Sequence, residues 1–392
     1  MNAFREFWQS MNPRAWHALM HCLKDLEPGE DFDTIYRLKP PIKEIDEDRI
    51  PLPYMVYLTL VVLLGFPHWG REEKTAWSIP VTYKGVPFLI AHRKFGLRVD
   101  MPNSDQSTQE LAGELLLRPG RAAQIADRFL QLPISQQVAN ANVTVVNRYY
   151  LFHERYIFFR EKAGTAFHSP PPDPIVLRRD ETGQPVVTEH DPLQPQKEGF
   201  YYTQAMLDAY FNYLEHLLVL LLVFAGFDPA NDNVGQFMSA DWTTKYNRIF
   251  DPDFHPDAKR LYNRLQEIKE RIRNTFSHGG FEKQGASLFV HLPGVGATPV
   301  QLSKFKGSVN YRLIPVRVKD FEQIYELLDT FEQYIAITRF SRALRIIQAG
   351  LNVRFDEKAR QRYAAAITSD EETESFIEQE NYWYMINANM DW

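Results

Sequence analysis

The segment Glu270-Arg271-Ile272-Arg273-Asn274-Thr275-Phe276-Ser277-His278-Gly279 gathers residue types that handle protons and phosphate. An imidazole with its usual pKa of about 6.5 gives or takes a proton near neutrality, and a guanidinium holds a phosphate through two parallel hydrogen bonds. Asn274 and His278 are four residues apart and share a helical face, where the amide can orient the ring, and Arg273 flanks that face by one residue. Spacing alone decides nothing, because Arg14/His21, Arg148/His153, Arg248/His255, Arg271/His278 and Arg273/His278 all set an Arg ahead of a His at similar separations. Only Arg273/His278 adds an Asn directly after the Arg, a Gly directly after the His, and a place at the end of an amphipathic helix. Ordinary C-terminal capping also selects basic residues and His ahead of a glycine, so a purely structural helix end is the competing reading.

These residues need helices to hold them. One is expected from Thr203 as cap through Met206, Tyr210, Tyr213, Leu214, Leu217, Leu221 and Phe224 to Gly226, apolar nearly all round near its end and hence central in a bundle. A second begins near Asp257, carries Leu261, Leu265, Ile268, Ile272 and Phe276 at helical spacing, and stops at His278-Gly279-Gly280. A third starts near Asp320 with Phe321, Ile324, Leu328, Phe331 and Ile335 on one stripe and continues to Gly350. Between the last two, Ser287–Leu292 and Ser308–Val316 alternate as a strand pair, with Gly294-Val295-Gly296-Ala297 as a hairpin connection rather than a phosphate loop.

Upstream, helices are expected over Phe4–Leu26, Thr108–Gln131 and Ile134–Phe159. Strands Ile79–Tyr83 and Val86–Ala91 flank a Lys84-Gly85 turn, and their prolines predict edge strands at best. Proline density over Ser169-Pro170-Pro171-Pro172-Asp173-Pro174 and Asp191-Pro192-Leu193-Gln194-Pro195 marks a linker or long loop. The predicted organisation is an α+β chain, predominantly helical. Residues 1–165 form an N-terminal mixed α+β domain for recognition or regulation, 166–198 a Pro-rich linker, 199–350 a helical bundle with a β-hairpin insertion, and 351–392 an acidic aromatic tail. That tail has seven acidic residues and no basic one from Asp370 to Trp392, either as a docked terminal helix or as an arm that imitates nucleic acid in a basic groove.

Composition bounds the function. With 392 residues, 44% apolar and 24% charged, the chain is long enough for two or three cores. A net charge of -6, from 44 Lys plus Arg against 50 Asp plus Glu, excludes a chain basic over its whole surface but leaves room for a local basic groove. The single cysteine, Cys22, allows neither an internal disulfide nor a thiolate metal site, and a cytoplasmic location is expected. The apolar stretches Pro53–Phe66 and Leu217–Phe227 are shorter than the roughly 18 uncharged residues of a membrane span and read as buried helices, so no membrane contact is expected. No Cys/His zinc spacing, His-Glu-x-x-His helix, nucleotide loop or nucleophile elbow occurs in the sequence, so no metal and no cofactor is expected.

The Arg273-Asn274-x3-His278 stretch at a bundle-helix end resembles the signature of the HEPN superfamily, over roughly residues 199–350. The resemblance implies a metal-independent endoribonuclease, with His278 as general acid/base, Arg273 as phosphate binder and Asn274 as orienter. Lys269 and Arg271 are candidate grips for flanking phosphates. It further implies an RNA substrate and a homodimer in which each protomer contributes an Arg and a His to one cleft. A toxin or antiviral role, with a protein partner or activator, belongs to the same expectation. The alternative function is a non-catalytic HEPN-like module for dimerisation or docking within a larger complex. Glu215 or His216 as orienters, and Tyr246, Asn247 and Arg248 as a substrate path, are lesser candidates.

Overall fold

The computed structural model describes residues 10, 12–29, 53–70, 75–93, 96–103, 105–270, 281–282, 285–301 and 316–389. It is predominantly helical α+β, and the chain divides into two compact units, residues 1–137 with 381–392 and residues 138–380.

In the first unit α1 (Pro13–Cys22) starts at Asn12, whose side-chain oxygen accepts the Ala15 N–H at 3.1 Å. Strand β1 (Leu26–Pro28) follows, then α2 (Pro53–Tyr57), which widens directly into the turns of Leu58–Leu63. Strands β2 (Thr75–Tyr83), β3 (Val86–Arg93) and β4 (Gly96–Asp100) complete an antiparallel sheet in the order β1-β2-β3-β4. Lys84 and Gly85 both take positive φ, 50° and 77°, the mirror-image turn whose twist suits a two-residue hairpin.

The expectation of edge strands is corrected: β2 and β3 are the two central strands. Pro80 is tolerated because its carbonyl accepts the Gly29 N–H at 3.0 Å, so its missing donor faces the same side, just past the last paired residue of the three-residue β1. Helix α3 (Gln106–Ala139) covers the sheet with Leu115, Leu116 and Ala122 against Ile79, Val81, Phe88 and Ile90. Arg118 and Glu114 on α3 both bond the Tyr83 hydroxyl, at 2.7 and 3.1 Å, which fixes helix to hairpin. The helix runs through Pro119 and Pro133 rather than breaking near 131–134, and ends only after Ala139.

The second unit begins with β5 (Thr144–Val145) and α4 (Tyr149–His168), then a hairpin of β6 (Ile175–Arg179) and β7 (Pro185–Glu189) and the long helix α5 (Gln194–Leu221), prolonged by one tighter turn over Leu222–Phe224. The predicted division at 165 is therefore corrected. Helix α4 lies antiparallel along α5 in one core, and the proline-rich segment is a surface hairpin between them rather than a linker between domains. Prolines misled because Pro195 sits in the first turn of α5, where its absent N–H costs nothing. Thr203 is likewise interior, its hydroxyl donating to the Gly199 carbonyl at 2.7 Å instead of capping.

Helices α6 (Val234–Ser239), α7 (Trp242–Phe250) and α8 (Pro256–Ile268) follow, then β8 (Phe281–Glu282), β9 (Gly285–Leu292) and β10 (Gly296–Gln301). Strand β9 pairs with β10 across the Gly294 turn; of the other expected strand, Ser308–Val316, residues 308–315 lie outside the described residues. Helix α9 (Val318–Ile337) carries the expected stripe of Phe321, Ile324, Leu328, Phe331 and Ile335 inward. It breaks at Thr338, and α10 (Ser341–Gln348) is separate. Strand β11 (Val353–Arg354) pairs with β5, and α11 (Glu357–Ala366) and α12 (Asp370–Asn389) end the chain. The predicted tail is thus built into the second unit as far as Glu380.

Helices α4 and α5 meet closely at Gly199, where a Cβ would lie 2.6 Å from the Phe167 ring, whereas one at Gly164 would meet Phe321 at an ordinary 3.8 Å. Thermal unfolding of the two alanine variants separates the sites. Gly164→Ala gains helix propensity and raises Tm by about 2 °C, while Gly199→Ala lowers it by several degrees through overpacking.

Candidate functional site at the end of helix α8

Helix α8 turns Ala258, Leu261 and Leu265 into the core of the second unit. Its place is fixed by the Tyr246 hydroxyl, which donates to the Ala258 carbonyl at 2.8 Å, and by Tyr262 stacked on Trp242 at 5.4 Å. Beyond Ile268 the helix continues through a widened turn at Lys269 and Glu270. Arg271, Arg273, Asn274 and His278 follow it in sequence and lie outside the described residues.

The approach to that segment is a charge cluster. Glu215, on α5, faces two ammonium groups, Lys245 at 3.2 Å and Lys269 at 3.8 Å. Lys245 is 5% exposed and Lys269 12%. The Lys269 ammonium also stands 4.8 Å from the Phe211 ring and 5.0 Å from Trp242. The Asp241 carboxylate also feels the Lys269 charge, so the two shielded lysines are balanced by carboxylates on α5 and at the start of α7. Lys269 itself, expected to grip a flanking phosphate, is engaged inside the protein by Glu215 and two aromatic faces.

In the polar run after Trp242, Tyr246 and Arg248 are engaged within the fold, while Asn247 is exposed. Tyr246 is fully buried. Arg248 spends its guanidinium on Asp232 at 2.7 Å and on the carbonyls of Ala225 and Gly226, each at 3.0 Å, closing the end of α5. Glu215 is committed to its lysines. His216 accepts the N–H of Arg148 at 2.9 Å, at the start of α4. Burial, helped by the Arg148 charge, lowers its pKa to about 4, so the ring accepts there as a neutral imidazole.

Sequence reading missed a polar seam where α4 meets α5 and α9. Arg160 grips Asp329 with both guanidinium nitrogens, one at 2.7 Å, and donates to the Tyr156 hydroxyl at 3.2 Å. His153 stacks on Tyr149 at 5.5 Å, with its Nε2 3.7 Å from Glu332. Burial pushes the Tyr156, Tyr210 and Tyr213 hydroxyls up, so they stay protonated, and Tyr210 donates to the Leu328 carbonyl and Tyr213 to the Tyr149 hydroxyl. The legible signal was Tyr149, His153, Tyr156 and Arg160 at steps of four, three and four, one stripe of a helix. Among the described residues no group of three His, Cys, Asp or Glu side chains is placed to share a metal ion. Only the helix over Gln194–Phe224 among them is long and apolar enough to cross a membrane, and 72% of its most apolar window is buried in this core.

Two outcomes are expected from this geometry. Between pH 6.5 and 4 the unfolded chain binds a proton at residue 216 that the folded chain refuses, so stability falls as pH falls through that window. His216→Gln, which keeps an acceptor without titrating, flattens the Tm-against-pH curve above pH 5. Glu215→Gln, which strands two shielded lysines, lowers stability by about 1–3 kcal/mol in denaturant titration, more than Lys269→Gln does.

Compared with protein-family models, with curated proteins and with solved structures, the chain matches none.

Proposed function

We propose that the chain is a HEPN-type, metal-independent endoribonuclease in which Arg273, Asn274 and His278 act on RNA. The observation that carries the reading is the combination Arg273-Asn274-x3-His278-Gly279, which follows an amphipathic helix in the sequence. That helix, α8, has its end tied through Lys269 to the interior helix α5.

The chemistry is transfer of a phosphodiester to the neighbouring 2'-oxygen. A base removes the 2'-hydroxyl proton, the oxygen attacks phosphorus, and an acid protonates the departing 5'-oxygen. The products are a 2',3'-cyclic phosphate and a free 5'-hydroxyl. Arg273 stabilises the added negative charge on the phosphorane, and Asn274 orients the imidazole of His278. One imidazole cannot both accept and donate in a single concerted step. A homodimer that joins two copies of the segment across a two-fold axis supplies the second proton-transfer group. Arg271 grips a neighbouring phosphate in this scheme. A toxin or antiviral effector that cuts cellular RNA when activated is the corresponding biological role.

RNA incubated with the purified chain in excess EDTA is expected to yield ends bearing a 2',3'-cyclic phosphate. His278→Ala and Arg273→Ala each reduce the rate by at least about 100-fold. His153→Ala, in the seam of α4, leaves the rate within a few-fold. Equal activity in His278→Ala and the wild-type chain sinks the assignment and leaves a docking module.

A further inference from the structure

The first half of α12 is held to α10 and α11 chiefly by charge. Arg342 reaches Asp370 through Nε at 2.9 Å, Arg345 reaches Asp370 at 3.5 Å and also bonds Glu374, and Arg362 reaches Glu380 at 2.6 Å. Arg342 also donates to the carbonyls of Ile367 and Thr368. Apolar anchorage is slight. From 370 to 380 only Thr373 is buried, and Phe376, half-buried, packs on Tyr363 at 5.6 Å and under Arg362 at 5.2 Å. The three arginines are 36–42% exposed even with the helix in place. Exposed ion pairs contribute about 0–1 kcal/mol each and weaken with salt, so this helix is the kind of neighbour that a denser polyanion displaces. Guanidinium groups turned outward from two adjacent helices take phosphate oxygens in the same forked geometry they use here for carboxylates.

We propose that the Arg342–Arg345–Arg362 face binds the phosphate backbone of single-stranded RNA, and that the acidic first half of α12 is its resident competitor. The choice of RNA rests on the ribonuclease reading above; the displaceable charge pairing does not. The surface engages RNA away from the bonds that are cut, and the helix keeps binding weak until RNA, high in charge, pushes it aside.

The test uses the full-length triple variant Asp370→Asn/Glu374→Gln/Glu380→Gln and a fluorescent 2'-O-methyl oligoribonucleotide, which has no free 2'-hydroxyl and so reports binding independently of cleavage. Anisotropy titrations from 50 to 200 mM salt are expected to show at least about 10-fold tighter binding at the low end. The slope of log K against log salt is expected to steepen by roughly 2, about 0.7 for each of three freed phosphate contacts. Adding Arg345→Ala and Arg362→Ala to the triple variant leaves only Arg342 freed, so most of the affinity gain is lost and the slope returns to within about 0.7 of the wild-type value. A second full-length variant adds Phe376→Ser to the three neutralisations and removes the apolar anchor as well. Unchanged affinity in both variants overturns the proposal. So does a gain that survives loss of the two arginines, which reports net charge alone. Poly-L-glutamate competing as well as the oligonucleotide at equal charge assigns the face to acidic polypeptide and overturns the RNA assignment. Loss of cleavage activity throughout, with binding behaving as expected, removes the ribonuclease reading and leaves this surface standing.

Discussion

The apolar run of helix α5 has to be covered over most of its circumference, and the second unit is arranged around that constraint. Between Met206 and Val223 nearly every residue is buried, including Leu207, Tyr210, Phe211, Leu214, Leu217, Leu218 and Leu221. Each large apolar side chain removed from water contributes about 1.5–3 kcal/mol, so covering this cylinder outweighs any single polar contact in the unit. Helices α4, α7, α9 and α10 all contact it directly. Asp208, Asn212, Glu215 and His216 are the exceptions in the run, and the last two have partners in the fold: two lysines for Glu215, a backbone N–H for His216. The tie from Glu215 to Lys269 carries the constraint outward, because it fixes where α8 ends and hence where the chain enters Glu270–Gly279.

Stability is graded from that centre. The seam of α4 with α5 and α9 combines the forked Arg160–Asp329 pair, half-buried, with tyrosines packed edge to face, where the two-point geometry favours a persistent contact. The outer helix α12 relies on pairs in open solvent and a single buried residue over 370–380. Elements at the weak end of such a gradient open first, and they are where binding-coupled movement is least costly.

Much of this architecture was legible in the residues. The all-round apolar run of α5 announced its interior position, the Phe321 to Ile335 stripe announced α9, and Lys84-Gly85 announced a hairpin. What failed was reading proline as punctuation. Pro195 seeds a helix, Pro80 sits in a central strand on the side where no donor is wanted, and Pro119 lies inside α3. Those misreadings placed the boundary near 165 instead of inside α3, because which helix α4 packs against is a tertiary fact with no local signature. At the site, the pattern from Arg273 to His278 was visible, but Lys269 looked like a free cation. Its engagement depends on Glu215, which is 54 positions earlier in the chain and adjacent only after folding.

The β6–β7 hairpin leaves the body where Phe167 and Gly199 already hold the ends of α4 and α5 together, and nearly all its residues are exposed. The connection between the two helices is therefore closed beneath it, whatever its length, and doubling a loop adds only about 0.6 kcal/mol of closure cost. Lineages of this protein are thus free to lengthen, trim or splice foreign sequence at that point while the helices below keep their register, which makes it a natural port for acquiring new modules.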